Sequence, residues 1–328
     1  MLKISVKILT LYMLLFAVAM GHWSCRKDIL ELRPYPVTST ELKLFLNQVP
    51  DPSTEASFNF NGLSQDMTLT TQSGLRIFLT DVDHLFETQG NNPVAVSLSS
   101  CTDLSIEVTV ANKRGDIISR GLSTITTDNQ LLESIGMVEV KVYCGGSELQ
   151  LVPGRSLKVQ LPSSVNTDNL TVFAATYDAD GNFTGWEDSG QEIFKADWQA
   201  PNGIDVIQGY EILISRLGWA NCAKKLGSST TSSFCANLQA GYTGLNTQAY
   251  LVFENSLTIV PLTFDDISLS FCFPNIPSGY PVRIISVAKL DGTYWLGSVA
   301  TETGTNSIQQ VQPVEKEAQE ILGYLRGL

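Results

Sequence analysis

Carboxylates beside a histidine can hold a metal or move protons, and the chain has one such cluster: Asp81, Asp83 and His84. A zinc site needs more ligands than this, and a catalytic triad needs a placed serine. The three residues therefore read as a polar loop after an apolar strand ending at Leu79. Asp178-Ala179-Asp180-Gly181-Asn182 puts oxygens at alternate positions, like the start of a calcium loop. The full loop needs glycine at its sixth position and glutamate at its twelfth. Counted from Asp178, Phe183 and Ser189 stand there. A hairpin turn built on Asp-Gly explains the same residues. Trp186, Glu187 and Asp188, with Glu192 close by, set an aromatic face beside carboxylates, which suits a sugar ring. These are the candidate ligand face, although Trp186 and Trp198 equally suit a sandwich core. Trp219 and Trp295 read as core of a second module. Phosphate-loop, GxSxG and HExxH motifs are absent. No catalytic residue, metal site or cofactor is expected.

The cysteines carry other chemistry. Lys3 and Lys7 precede an apolar run from Ile8 to Met20, and Gly21-His22-Trp23-Ser24 then lead to Cys25. That run is too short to span a bilayer comfortably and reads as an export signal over residues 1–24. Cleavage before Cys25 frees a thiol for diacylglycerol and an amine for a further acyl chain. Each buried methylene contributes ~0.8 kcal/mol of anchoring. Ser24 fits a lipoprotein cleavage site; His22 and Trp23 depart from its strict form. The stretch Ser24-Cys25-Arg26-Lys27-Asp28 resembles the relaxed sites of Bacteroidetes-type lipoproteins. In those, a Lys-Asp step after the cysteine accompanies export to the cell surface, which implies the outer membrane as the location here. The alternative is a plain secretory signal with a free Cys25.

Beyond Cys25 stand Cys101, Cys144, Cys222, Cys235 and Cys272, an odd set. An exported chain permits disulfides. Pairing within each expected module favours Cys101 with Cys144 and Cys222 with Cys235. The alternative is five small buried hydrophobes. No CxxC occurs, so a zinc ribbon and a thioredoxin-type site lack support.

Composition narrows the partners. The 328-residue chain has net charge −12 and is 43% hydrophobic, with 16% charged residues. It is too apolar to be mostly disordered and too acidic for general nucleic-acid binding. Removing residues 1–24 removes two lysines and makes it more acidic still. Such a chain has no attraction for anionic lipid heads, so the lipid on Cys25 is its expected membrane contact.

The elements that would position these residues are mostly strands. Residues 25–56, with Pro34, Pro36, Pro50 and Pro52, read as a tether with a short helix near Glu41–Asn47. Alternating runs then recur: Phe58–Asn61, Met67–Thr71, Leu75–Leu79, residues 103–111, residues 137–143, Leu149–Leu151, Leu157–Leu161 and residues 170–177. Period-two segments with Gly, Asn and Asp turns indicate an antiparallel β-sandwich over 57–196. A linker over 196–206 leads to a second β-rich module over 206–328. Residues 223–247 read as a long loop, Asp291-Gly292 as a hairpin turn, and Val314–Leu325 as a short C-terminal helix. The expected fold class is mainly β, with two antiparallel sandwich-like modules.

Several stretches resemble one family. Leu132-Glu133-Ser134-Ile135-Gly136-Met137, followed by Gly145-Gly146, Leu149–Val152 and Val159-Gln160-Leu161-Pro162, is similar to a module of Bacteroidetes-type surface lipoproteins. Leu217-Gly218-Trp219-Ala220-Asn221-Cys222 resembles the step that opens their second module, and Ile276-Pro277-Ser278-Gly279 fits its later part. More distantly, the first module resembles the β-sandwich of ankyrins and netrin receptors. Related sandwiches cleave themselves at a hydroxyl residue soon after a histidine. Here Phe86 follows His84-Leu85, so the nucleophile is missing. The resemblance implies a lipid-anchored envelope protein with a non-catalytic binding or structural role and an envelope protein or glycan as partner. The alternative role is a surface carbohydrate-binding accessory of a nutrient-uptake system.

Overall fold

A computed structural model describes residues 40–227, 230–304 and 308–328. The expected signal, Cys25 and the first part of the expected tether lie outside the described residues. The chain runs through α1 (Thr40–Leu46), β1 (Glu55–Phe60), β2 (Met67–Thr70), β3 (Arg76–Leu79), β4 (Phe86–Thr88), β5 (Ala95–Val96), β6 (Leu104–Ala111), α2 (Arg114–Ser119) and β7 (Leu132–Cys144). It continues with β8 (Ser147–Leu151), β9 (Leu157–Pro162), β10 (Thr171–Tyr177), β11 (Phe183–Glu192), β12 (Phe194–Gln199), β13 (Val206–Ile214) and β14 (Gly218–Lys225). Then follow β15 (Thr231–Asn237), β16 (Thr247–Phe253), β17 (Ile259–Asp265), β18 (Ser270–Pro277), β19 (Pro281–Leu290), β20 (Thr293–Glu302), β21 (Ile308–Gln310), β22 (Val314–Glu315) and α3 (Ala318–Arg326).

Three sheets result among the described residues. A nine-stranded sheet runs β11-β10-β14-β7-β8-β4-β5, with β6 also on β7 and β1 on β6. A five-stranded sheet runs β12-β13-β9-β3-β2, and an eight-stranded sheet runs β21-β15-β18-β17-β16-β19-β20-β22. The first two face each other. Alternation in β6 and β7 sends Ile106, Val108, Val138, Val140 and Val142 inward, where they meet Ile77, Val159, Leu161, Ile212 and Ile214. Fully burying each such side chain contributes about 1.5–3 kcal/mol, which fixes the register because a one-residue slip would turn every valine outward.

The other face of the nine-stranded sheet is covered at one end. Met137, Phe173, Trp186 and Trp219 pack with Leu42 and Phe45 of α1, Ile117 of α2, Ile321 and Leu325 of α3, and Tyr250 and Val287 of the eight-stranded sheet. β16 is apolar from Ala249 to Phe253 because both its faces are buried there: Tyr250 and Val252 enter this core, while Ala249, Leu251 and Phe253 enter a third one with Phe234 and Phe271. Helices α2 and α3 touch so closely that a Cβ on Gly115 would lie 2.0 Å from the Leu325 carbonyl oxygen. The turn between β19 and β20 has the expected chemistry: Asp291 and Gly292 have φ of 48° and 82°, and Leu290 pairs with Thr293.

The structure differs from the sequence reading in four places. Residues 196–206 form no linker between sheets. Gln199 pairs with Val206, so this stretch closes the β12–β13 hairpin. β13 then pairs with β9, and β14 with β7 and β10, which carries the first sandwich on to Lys225. The described part of the expected tether belongs to the body: Leu42, Phe45, Leu46 and Val49 are buried, and the Arg326 guanidinium donates to the carbonyls of Gln48 and Val49. The expected loop over 223–247 contains β15, whose Phe234 and Ala236 alternate into the third core. Val314 and Glu315 pair with β20, and the C-terminal helix starts at Ala318 after Glu317, whose N–H donates to the Glu320 carboxylate.

Candidate functional site

The uncovered end of the nine-stranded sheet carries a mixed aromatic and charged face. The inward valines of β7 force its alternate residues Glu139, Lys141 and Tyr143 onto the opposite side. Across from them, Glu107 of β6 pairs in register with Lys141, and Glu148 of β8 with Tyr143. Tyr177 at the end of β10 completes the group and is 48% exposed. β14 begins at Gly218, and Leu217 before it packs into the inner core. No β14 side chain beyond Trp219 therefore stands between Tyr177 and Lys141. Arg120 marks the border with the covered end, lying over the Trp219 ring and pairing with Glu55 at 3.0 Å.

Charge is unevenly spent on this face. Lys141 Nζ lies 2.9 Å from Glu139 Oε1. Burial weakens the Lys141 charge, but the Glu139 hydrogen bond and carboxylate outweigh it and hold its pKa above the usual lysine value. Burial, then the Glu148 carboxylate, pushes the Tyr143 phenol up. Burial, then Glu139 and Glu148, pushes Tyr177 up to about 12. Both tyrosines stay protonated at neutral pH and can donate as well as accept. Amphipathic aromatic rings flanked by acceptors and one ammonium suit a polyhydroxylated, uncharged ligand. The surplus carboxylates disfavour an anionic one.

Trp186 does not join a ligand face. It is fully buried, its Nε1 donates to the Ser123 carbonyl at 2.6 Å, and its ring stacks edge-on to Phe183 at 5.1 Å. Phe183 in turn meets Tyr177 at 6.2 Å, so Trp186 is the inner end of an aromatic ladder whose exposed end is Tyr177. Glu187 and Asp188 are exposed. Glu187 pairs with Arg216 at 3.0 Å, and Asp188 accepts from the Gly190 N–H at 2.9 Å. The sugar-ring reading of Trp186, Glu187 and Asp188 is therefore corrected. Its tryptophan fills a core because the ring packs among Phe173, Phe183 and Trp219, while Ile125 and Thr127 hydrogen-bond to the Trp186 backbone alongside β11.

The remaining candidates are structural polar groups. Asp81 Oδ1 meets His84 Nδ1 at 2.9 Å, and its Oδ2 meets Arg155 at 2.9 Å, so these contacts, His84 first, hold its carboxyl below the usual range. Asp83 accepts from the hydroxyls of Ser97 and Ser99. Asp178 accepts the N–H groups of Asp180 and Asn182 at 3.0 and 2.8 Å and the Asn182 side-chain amide, which spends its oxygens on the turn.

Cys101 and Cys144 form a disulfide, as expected. The second pairing is corrected: Cys235 bonds Cys272, and Cys222 is a buried free thiol. The reason is register. Cys235 and Cys272 stand directly opposite each other on β15 and β18, whereas Cys222 faces the first sandwich's core between Gly136 and Val172. Burial pushes its thiol up to about 12.

Away from this face, an open cleft of about 680 Å³ lies where the two facing sheets meet the turn before β17. Ile135, Val165, Val206 and Leu257 line it with Asn112 and Gln208, and no charged side chain contributes. Compared with known families, curated proteins and solved structures, the chain matches none.

Proposed function

We propose that this chain is an exported, lipid-anchored protein of the bacterial cell envelope, held in the outer membrane and facing outward, with a non-catalytic binding role. The carrying observation is the pair of disulfides, Cys101–Cys144 and Cys235–Cys272, in a chain whose first residues read as an export signal ending at Cys25. Disulfides persist in oxidising compartments, and the acidic surface leaves the lipid on Cys25 as the membrane contact. The acidic and histidine side chains singled out for chemistry are engaged in turns and ion pairs, which favours binding over turnover. Protease shaving of intact cells tests this, comparing wild type with Cys25→Ala. Wild type is membrane-bound and shaved, while the variant is not anchored. A variant that fractionates like wild type overturns the anchor, and a protected wild type overturns the outward face.

A second, narrower reading is favoured by the Tyr143–Tyr177 face: a surface carbohydrate-binding accessory in nutrient uptake. Two tyrosines separated by an open strand row and bordered by Glu107, Glu139 and Glu148 suit a neutral oligosaccharide. This reading shares the anchor and adds the ligand class.

A further inference from the structure

The two disulfides close loops of similar length, with sequence separations of 43 and 37 residues. Loop entropy therefore stabilises both by nearly the same amount, and their surroundings make the difference. Cys101 is 2% exposed and belongs to the core of the first sandwich, and Cys144, half-buried, packs against that core. Cys235 and Cys272 belong to none of the three cores. Their neighbours Phe234, Ala236, Phe271 and Phe273 take the inward positions, which turns both sulfurs to the outer side of the sheet. Both residues are half-buried.

Position in the sheet adds a second distinction. Cys235 and Cys272 are direct cross-strand partners, 4.1 Å apart at Cα, on strands already joined by backbone pairing. Opening this bond leaves the ladder and the burial of Phe234 and Phe271 in place. β15 lies one strand from the sheet margin, next to the three-residue β21, with Cys235 in register with the exposed Ile308. Cys101, by contrast, ends a loop tied to the core, and its partner Cys144 ends the central strand β7.

We propose that Cys235–Cys272 is a thiol–disulfide exchange site, open to a dithiol reductant, while Cys101–Cys144 is a closed structural bond. In the first step a thiolate of the dithiol attacks one sulfur of the pair. The Cys235–Cys272 bond breaks, the other cysteine leaves as thiolate and takes up a proton, and a mixed disulfide forms. The second thiolate of the dithiol then attacks its own partner sulfur in that mixed disulfide and releases the remaining cysteine. Two electrons and two protons pass to the protein, and the reductant leaves as a disulfide. Reduction leaves β15 and β21 held to the sheet by backbone pairing and side-chain burial alone.

The test uses the full chain with graded dithiothreitol at neutral pH, acid quenching, alkylation with N-ethylmaleimide and peptide mass mapping. Cys235 and Cys272 are expected to be labelled at least about tenfold faster than Cys101 and Cys144, with tryptophan fluorescence unchanged. Equal rates, or earlier labelling of Cys101 and Cys144, overturn the proposal. A double variant, Cys235→Ser with Cys272→Ser, is expected to fold and to keep Cys101–Cys144 oxidised. If that variant unfolds, the bond is structural and the proposal fails.

Discussion

Tyr143 and Tyr177 sit on different strands yet answer to the same two carboxylates. Beyond the effect of burial, Glu139 and Glu148 press on both phenols. The valines that pack the sandwich create this arrangement, because each inward residue of β7 hands the next one to the outer face.

If that face binds neutral oligosaccharides, removing the rings removes affinity without unfolding the chain. Tyr177→Ala is expected to weaken binding about two- to tenfold, the equivalent of the roughly 0.5–1.5 kcal/mol that an aromatic contact adds beyond its area. Calorimetry against neutral oligosaccharides checks this. Thermal stability should change little, since Tyr177 is half exposed. Equal affinity in wild type and variant would remove the glycan reading while leaving the envelope reading intact.

Trp186→Ala is expected to behave in the opposite way. The ring is fully buried and donates to Ser123, so the change costs about 3–5 kcal/mol of stability. Denaturant unfolding measures the loss. A ligand-binding tryptophan on the surface would instead leave the midpoint near wild type.

Gly115→Ala tests the helix contact. The added Cβ would meet the Leu325 carbonyl oxygen at 2.0 Å, and a backbone atom cannot swing away like a flexible side chain. Overpacking of this kind costs about 1–3 kcal/mol. The expected signature is a lower Tm with faster hydrogen exchange in α3.

Asp116 is buried in α2, and its Oδ2 has no hydrogen-bond partner among the described residues. Burial raises its carboxyl above the ordinary aspartate value. The native state therefore takes up a proton at higher pH than the unfolded chain does. Charged Asp116 costs stability at neutral pH, and that cost fades as pH falls through the raised value. Asp116→Asn is expected to be more stable than wild type at pH 7, with the gap closing near pH 4. Urea midpoints at both pH values measure it, and a variant less stable at pH 7 contradicts the sign.

The buried thiol gives a complementary check. With its pKa pushed to about 12, Cys222 is expected to resist maleimide in the native state and to react once the chain is unfolded. Native labelling at Cys222 would place it outside the core.

Much of the sandwich was legible from alternation. The runs through Leu104–Val110 and Val138–Val142 reported their own register because one face of each is buried. The Asp291-Gly292 turn was equally plain. Module boundaries were not, because a strand's sheet depends on distant partners: nothing local in Gly218–Lys225 says that it pairs with Met137 rather than with later strands. β15 was missed because Thr231, Ser232 and Ser233 dilute its apolar positions. The tyrosine face was hidden for a related reason. The valines of β7 drew attention to the inner side, although Glu139, Lys141 and Tyr143 spell out a polar and aromatic outer side at the same spacing. Trp186 looked like a ligand platform because sequence shows the carboxylates beside it and conceals the distant residues, Phe173 and Trp219 among them, that bury it.

The central claim, a lipid anchor on Cys25, is tested most directly by intact mass and N-terminal peptide mapping of the membrane-extracted protein. The expected result is a chain beginning at Cys25 that carries a thioether-linked diacylglycerol and an acylated amine. A mature chain that begins elsewhere, or at an unmodified Cys25, would contradict it.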